Sequence, residues 1–312
     1  MLLLQYTLIY ASVLIFVALG GMFSERSGVI NIGLEGIMVL GALGGAFVLH
    51  LASPALPSIA IILLTLLVSV LVGMLASLLL AVAAINFKAD QTLVGTAMNM
   101  LATAAATVLV KSYNSARSAG SNVSAILDYI ETRKVFVIKT PAFDLSLFMF
   151  LTLVLLACAI TILYKTRFGM RLMACGEHPQ AADSVGISVF KMRYCGVLIS
   201  GLCGGIGGLI YVCASNSSWD FQYGVAGAGF LAMAVMIFGQ WNPVKIALAA
   251  ILFGFFRAIA DAYAGYDFLV HLVNGEFYKM LPYIISLVVL AFTSKKSRAP
   301  KAEGIPYDKG QR

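Results

Sequence analysis

Apolar residues in this chain neither alternate in strand fashion nor mark one face of a helix; they run on. Uninterrupted apolar stretches cover 2–21, 36–52, 57–85, 91–111, 143–164, 194–214, 225–239, 244–263 and 280–293. About 20 residues of α-helix, rising 1.5 Å each, cross the hydrocarbon core of a bilayer. The pattern therefore predicts an all-α, polytopic membrane protein with about nine transmembrane helices, eight to ten being the range. Residues 1–293 read as one membrane domain. Some stretches are short and glycine-rich, which predicts that one or more helices are broken or re-entrant. No Lys or Arg precedes Arg26, so the basic leader of a signal peptide is missing and 2–20 reads as a retained first span.

Composition agrees with this reading. Of 312 residues, 61% are hydrophobic and 11% charged, with a mean hydropathy of +0.94. A soluble domain carries about 25% charged residues, so a soluble enzyme, a nucleic-acid binder and a disordered chain are excluded. The net charge of +7 is read as loop charge, because Lys and Arg collect on the cytoplasmic side of membrane proteins. One basic loop spans 165–193, with Lys165, Arg167, Arg171, Lys191 and Arg193. The tail, 294–312, carries Lys295, Lys296, Arg298, Lys301, Lys309 and Arg312. Four apolar stretches separate loop from tail, so both are expected on the cytoplasmic side. Counting backwards puts 112–142 outside, 86–90 inside, 53–56 outside, the turn at Arg26 inside and the N-terminus outside. The segment 112–142, with Arg117, Arg133, Lys134 and Lys139 against Asp128 and Glu131, is too short for a domain of its own.

Conventional catalytic signatures are missing. There is no GxxxxGK[ST] phosphate loop. Cys158, Cys175, Cys195, Cys203 and Cys213 show no CxxC spacing, and His50, His178 and His271 are scattered, so packing is expected rather than disulfides or a metal.

Polar residues inside apolar stretches carry more information. Thr92, Thr96, Asn99, Thr103 and Thr107 step by three or four residues and share one helical face. Such a stripe faces protein or water rather than lipid; helix–helix hydrogen bonding and a solute path both satisfy it. Asp90 is placed to cap that helix. In the glycine-rich link 24–36, Asn31 and Glu35 are four apart, and a carboxylate at the edge of an apolar stretch is costly unless it has a task. A turn at the membrane surface accounts for Glu25 and Arg26. Gly201, Gly204, Gly205 and Gly208 form small-xxx-small pairs suited to close helix packing. Residues 171–187 suggest a short amphipathic helix with Glu177 as cap, Pro179 in its first turn and Gly186 at its end. Such a short helix needs a docking partner, within this chain or on another protein.

Four motifs recur together in this order: Ser27–Gly36, Ala89-Asp90-Gln91, Gly176–Ala182 and Gly239-Gln240-Trp241-Asn242-Pro243. With them the chain resembles the permease subunits of bacterial ABC importers for nucleosides, in the wider group of ribose-type sugar and branched-chain amino-acid permeases. The resemblance implies a multi-pass cell-membrane subunit that is not itself an enzyme and holds no cofactor. It implies ATP and Mg in a pair of partner ATPases, a second permease subunit, and a solute-binding protein or lipoprotein. It further implies that Gly176, Glu177, His178, Pro179, Gln180, Ala181, Ala182 and Gly186 dock in a groove of the ATPase. Asn31, Glu35 and Asn99 carry over as solute-path candidates, alongside Thr92, Thr96 and Thr103 from the stripe. The chain departs from the group at Lys88–Gln91, where an acidic residue is expected after Asp90. A sugar or branched-chain amino acid is the alternative solute. An ion-coupled transporter, for which Arg257 and Asp261 are the available pair, is a more distant reading, and a membrane enzyme more distant still.

Overall fold

A computed structural model describes residues 2–53, 55–117, 124–129, 132–139, 144–213, 216–265, 271, 275–293 and 298–310. Glu131, Lys295, Lys296 and Arg312, named above, lie outside the described residues. The helices are α1 (Leu2–Arg26), α2 (Leu34–Leu51), α3 (Ser58–Ala81, running on as a π turn over Val82–Asn86), α4 (Gln91–Arg117) and α5 (Leu147–Lys165). Then follow α6 (Arg167–Glu177), α7 (Pro179–Ser184), α8 (Val189–Cys213), α9 (Ala228–Phe238), α10 (Pro243–Ala262) and α11 (Gly275–Thr293). Among the described residues, seven helices are long and apolar enough to cross a membrane: α1 to α5, α8 and α10. The stretches expected at 225–239 and 280–293 appear as the shorter apolar helix α9 and, within α11, the apolar segment Phe277–Val288.

Local chemistry sets the helix starts. Asp90 Oδ1 accepts from the backbone N–H of Thr92 (2.8 Å) and Leu93 (3.0 Å), and Asn242 Oδ1 from Val244 and Lys245 just ahead of α10, whose first residue is Pro243. Each bond satisfies a donor that the first helical turn leaves open. The expected short helix at 171–187 is divided in two. The residue before a proline is disfavoured in the α region, and His178 (φ −145°, ψ 82°) breaks the chain between α6 and α7. Glu177 therefore ends α6 instead of capping α7, and its carboxylate lies 3.8 Å from Arg26 Nη1. At the other end of α7, Gly186 N–H bonds Asp183 O (2.9 Å) and Ile187 N–H bonds Ala182 O (3.0 Å), with Gly186 at φ +84°. This is a Schellman stop, and its left-handed residue is the glycine.

The bundle is built around its first helix. In the apolar 18-residue core of α1, 94% of the residues are buried, and α1 packs against α8, α9 and α10, whereas in the corresponding cores of α3 (28%) and α5 (22%) few residues are, and these helices lie at the periphery. α2, α3 and α8 approach closely through glycine. A Cβ on Gly204 would lie 2.8 Å from Ile37 Cγ2, and Cβ atoms on Gly201, Gly205 and Gly208 would overlap Ser77, the Ser69 carbonyl and the Met38 carbonyl. Ser69 Oγ sits 2.8 Å from the carbonyl oxygens of both Gly41 and Gly205, so one hydroxyl bridges three helices.

The two ends of the bundle differ. At one end, His50 and Arg117 sit beside a two-stranded antiparallel sheet, β1 (Ile126–Asp128) with β4 (Ser218–Asp220), in the register Leu127↔Trp219. A second ribbon pairs β2 (Val137–Lys139) with β3 (Asp144–Ser146). At the opposite end, the Arg26 turn, Lys88, α6–α7, Arg193 and the Gln240–Trp241 turn meet the tail. Arg298 N–H donates to Gln240 Oε1 (2.9 Å), Ala302 N–H to Gly176 O (2.8 Å) and Gly304 N–H to Gly28 O (3.3 Å). Arg193 Nη1 donates to Ile305 O (3.0 Å), and Lys88 pairs with Asp308 (2.7 Å). Buried Tyr307 packs with Cys175, Ala182 and Val189. Residues 298–310 thus form a strap across this end. Arg26, Lys88, the 165–193 loop and the tail all share it, as the parity of the hydrophobic runs requires.

Candidate functional site

The break ahead of α9 is the least regular part of the membrane region. Gly224 (φ +57°), Ala226 (+50°) and Gly227 (+78°) adopt left-handed backbone, where glycine is free and alanine is strained. The 11-residue helix that follows rises about 16 Å, half a bilayer core. Its first N–H groups lack water and must find protein acceptors. Glu35, from the first turn of α2, supplies them: Oε1 accepts from Gly227 N–H (2.8 Å) and Oε2 from Gly229 N–H (2.7 Å). The carboxylate also meets the positive end of the helix dipole.

Beside this junction lies an open groove of about 760 Å³, lined by Glu35, Thr96, Asn99, Met100, Thr103, Ala104, Thr107, Val108 and Phe230. Four of the six residues put forward for a solute path meet here: Glu35, Thr96, Asn99 and Thr103. Asn99 also has a structural task. Its Oδ1 accepts from Gly36 N–H (2.8 Å) and its Nδ2 donates to Ile32 O (2.9 Å), so it stitches α4 to the irregular start of α2. The threonine hydroxyls are satisfied from within α4: Thr96 donates to Thr92 O, Thr103 to Asn99 O and Thr107 to Thr103 O. Each keeps lone pairs for a solute.

Two of the six are not brought in. Asn31 is fully buried elsewhere, donating to Ser200 Oγ (2.8 Å) and so tying the 28–33 link to α8. Thr92 is exposed at the Asp90 end of α4, outside the groove lining. Thr107 and Phe230 join the lining; the first continues the four-residue step of the stripe, whereas nothing in the local sequence marks the second.

The Arg26 end carries more than a surface turn. Glu25 is buried, and its Oε2 accepts from Trp241 Nε1 (2.6 Å). Arg26 Nη2 donates to Trp241 O (3.1 Å), which explains the Gly239–Pro243 motif as a partner of the first helix. Gln91, at the departure from the expected pattern, accepts from Ile30 N–H (2.7 Å) and braces the link before α2. α7 buries Pro179 and Ala182, the latter packed with Tyr307 of the strap, and exposes Gln180, Ala181 and Ser184, as the preceding His178 is exposed. Burial pushes the Cys175 thiol up to about 11, with Arg193 acting in the opposite sense. Burial likewise raises the Glu303 carboxyl above the usual carboxylate range, while its hydrogen bond to Glu25 and the charge of Arg26 lower it. Among the described residues, no group of His, Cys, Asp and Glu is arranged to hold a metal ion.

Crossing helices, a helix broken within the membrane and a polar groove beside the break define a multi-pass membrane permease. The chain belongs to the family described as the branched-chain amino acid transport system permease component, whose pattern matches residues 3–290. It is 39% identical over 311 residues to the nucleoside ABC transporter permease protein NupC of Lactococcus lactis, covering 97% of this chain and 96% of the relative. It is 40% identical over 319 residues to the guanosine ABC transporter permease protein NupQ of Bacillus subtilis, covering 98% and 96%. A more distant similarity, 24% over 168 residues, links it to the nucleoside permease protein NupB of Lactococcus lactis, covering 54% of this chain and 46% of NupB. No solved structure matches the chain.

Proposed function

We propose that this chain is one membrane subunit of an ATP-driven nucleoside importer in a bacterial cell membrane. The observation that carries the reading is near-full-length identity to two permeases named for nucleoside and guanosine transport. The groove beside Glu35 is one wall of the solute path, and a second permease subunit supplies the other. Thr96, Asn99, Thr103 and Thr107 offer a solute hydroxyls and carbonyls at helical spacing, and Phe230 adds an aromatic ring.

The Arg26 end faces the cytoplasm, as the positive-inside rule assigns it. ATP and Mg belong to separate ATPase subunits that dock on the exposed face of α7. The strap holds the buried face of α7, so a push on α7 reaches α1 through the Arg26–Glu177 pair and α8 through Arg193. A solute-binding protein delivers the nucleoside at the His50 end.

The test is radiolabelled guanosine uptake into vesicles holding the complete complex, with binding protein and ATP. ATP-dependent uptake that unlabelled nucleosides compete away is expected. Competition by sugars or branched-chain amino acids in their place would transfer the reading to those solutes, and the absence of any nucleoside transport would end it. Replacing Glu177–Ala182 with a Gly/Ser linker is expected to abolish ATP-dependent uptake while leaving membrane insertion intact.

A further inference from the structure

A second cavity, of about 540 Å³, opens at the His50 end among the start of α1, the end of α10, β4 and α11. This size lies within the ~300–1,000 Å³ typical of small-molecule sites. Five aromatic rings line it: Tyr6, Tyr10, Tyr211, Trp219 and Tyr263. Tyr6 stacks on Tyr10 with centroids 6.5 Å apart, and Tyr211 stands edge-on to Trp219 at 5.4 Å. Arg257 and Asp261, 4.0 Å from one another, share the wall with Asn216, Ala260 and Lys279. The Tyr10 hydroxyl donates to Asp261 Oδ2, and Arg257 Nη2 donates to the Tyr211 hydroxyl (3.2 Å). Among the described residues, Asp261 Oδ1 accepts no hydrogen bond, and Asp261 is exposed.

This combination selects a type of ligand. An open cavity walled by aromatic faces suits a planar ring, because stacking needs no particular hydrogen-bond pattern. A free carboxylate oxygen beside those rings suits a hydroxyl donor. Arg257 and Asp261 pair with one another, and Lys279 adds a second basic side chain to the lining. A heterocycle joined to a polyhydroxylated sugar supplies both the flat face and the hydroxyl donors. A simple sugar leaves the rings unused, and an aliphatic amino acid lacks the flat face.

The cavity is also tied to the break in the membrane. Trp219 Nε1 donates to Gly224 O (2.8 Å). Tyr211 and Arg257 also line a smaller cavity with Ala226, Ala228, Leu231 and Tyr283, and Tyr283 Oη donates to Ala226 O (3.0 Å). The start of α9 thus lies between the smaller cavity, which it lines with Ala228 and Leu231 and which shares Tyr10, Tyr211 and Arg257 with the chamber, and the groove, which it lines with Phe230.

We propose that the chamber is an outer nucleoside-binding site, distinct from the groove, in which Trp219 and Tyr263 hold the base and Asp261 meets the sugar hydroxyls. This rests on the nucleoside reading above and adds a receiving site ahead of the membrane path. The experiment uses the full chain in lipid nanodiscs and the complete complex in vesicles. Guanosine is expected to quench tryptophan fluorescence of the wild-type chain, and Trp219→Phe to lose that response, since the other tryptophan, Trp241, lies at the opposite end. Ribose and leucine at the same concentration are expected to leave the signal unchanged. In the complex, Tyr263→Ala is expected to raise the KM for guanosine about tenfold, the loss of one base-on-ring stack, with Tyr263→Phe near wild type. Guanosine transport that persists with no quenching and an unchanged KM in Tyr263→Ala would overturn the chamber and leave the importer reading intact. Equal quenching by ribose or leucine would overturn its nucleoside assignment. Absence of nucleoside transport by the wild-type complex would instead strike the reading on which the chamber rests.

Discussion

Glu35→Ala probes the half-helix most directly. The substitution removes both acceptors at the start of α9 and leaves Gly227 N–H and Gly229 N–H without partners. Glu35 is 8% exposed, so water does not simply replace the carboxylate. A buried donor left unpaired costs about 1–3 kcal/mol, hence about 2–6 kcal/mol for the two. Domains of about 150–250 residues lose about 2–4 °C per kcal/mol and longer chains somewhat less, so the melting temperature is expected to fall by roughly 4–20 °C. Glu35→Gln restores one carbonyl acceptor and is expected to recover about half of the loss. The assay is thermal unfolding in detergent with a thiol-reactive dye, for which buried Cys203 and Cys213 are internal reporters. Thr96→Ala is the control: its side chain is exposed in the groove and its bond lies within α4, so a change below about 0.5 kcal/mol is expected. Glu35→Ala melting together with wild type would refute the argument that this carboxylate caps a helix inside the membrane.

Further outcomes follow from the packing and from the strap. Gly205→Ala forces a methyl group against the Ser69 carbonyl and is expected to cost about 1–3 kcal/mol, read as lower yield and melting temperature; wild-type stability would contradict the close α3–α8 approach. Deleting residues 298–312 uncovers Cys175, so its thiol falls from about 11 towards the ordinary ~8.5; maleimide labelling at pH 8, slow in the intact chain, is expected to accelerate, and an unchanged rate would count against the strap. Glu303 has a raised folded-state pKa, so it binds its proton more tightly in the strapped state; its contribution is complete below the unfolded value of about 4.3 and declines as pH rises through the folded pKa. Strap release, read by Cys175 labelling corrected for thiolate fraction, is therefore expected to increase with pH, and Glu303→Gln to flatten that dependence.

How much was legible in the sequence follows from which interactions are local. Hydrophobic run length marked every crossing helix, because in lipid each helix must satisfy its own backbone. The Asp90 cap was legible as well, because it acts within three residues of itself; Glu177, expected to cap in the same way, ends a helix instead. The stripe on α4 was legible because four-residue spacing fixes a face. That Asn99 would brace the start of α2 was not, since its partners lie 63 and 67 residues away. Asn31 and Glu35 showed the same signal, a polar group by an apolar stretch. One became a buried tie to Ser200 and the other the cap of α9, because their partners lie 169 and about 190 residues distant. Glu25, read as part of a surface turn, meets Trp241 across 216 residues.

The sequence by itself therefore determined the class of molecule, the crossing helices, the gathering of its basic segments at one end and the family to which it belongs. These depend on composition, run length and short motifs. Only the tertiary structure decided that α1 is the axis of the bundle while the more apolar α3 and α5 lie outside. Lipid and protein interior are both apolar, so hydrophobicity carries a helix into the membrane without saying which neighbours it will meet; small residues and polar contacts settle that. The break before α9 likewise needed Glu35 from another helix to accept its open N–H groups, and the strap needed five separate chain segments to converge at one end.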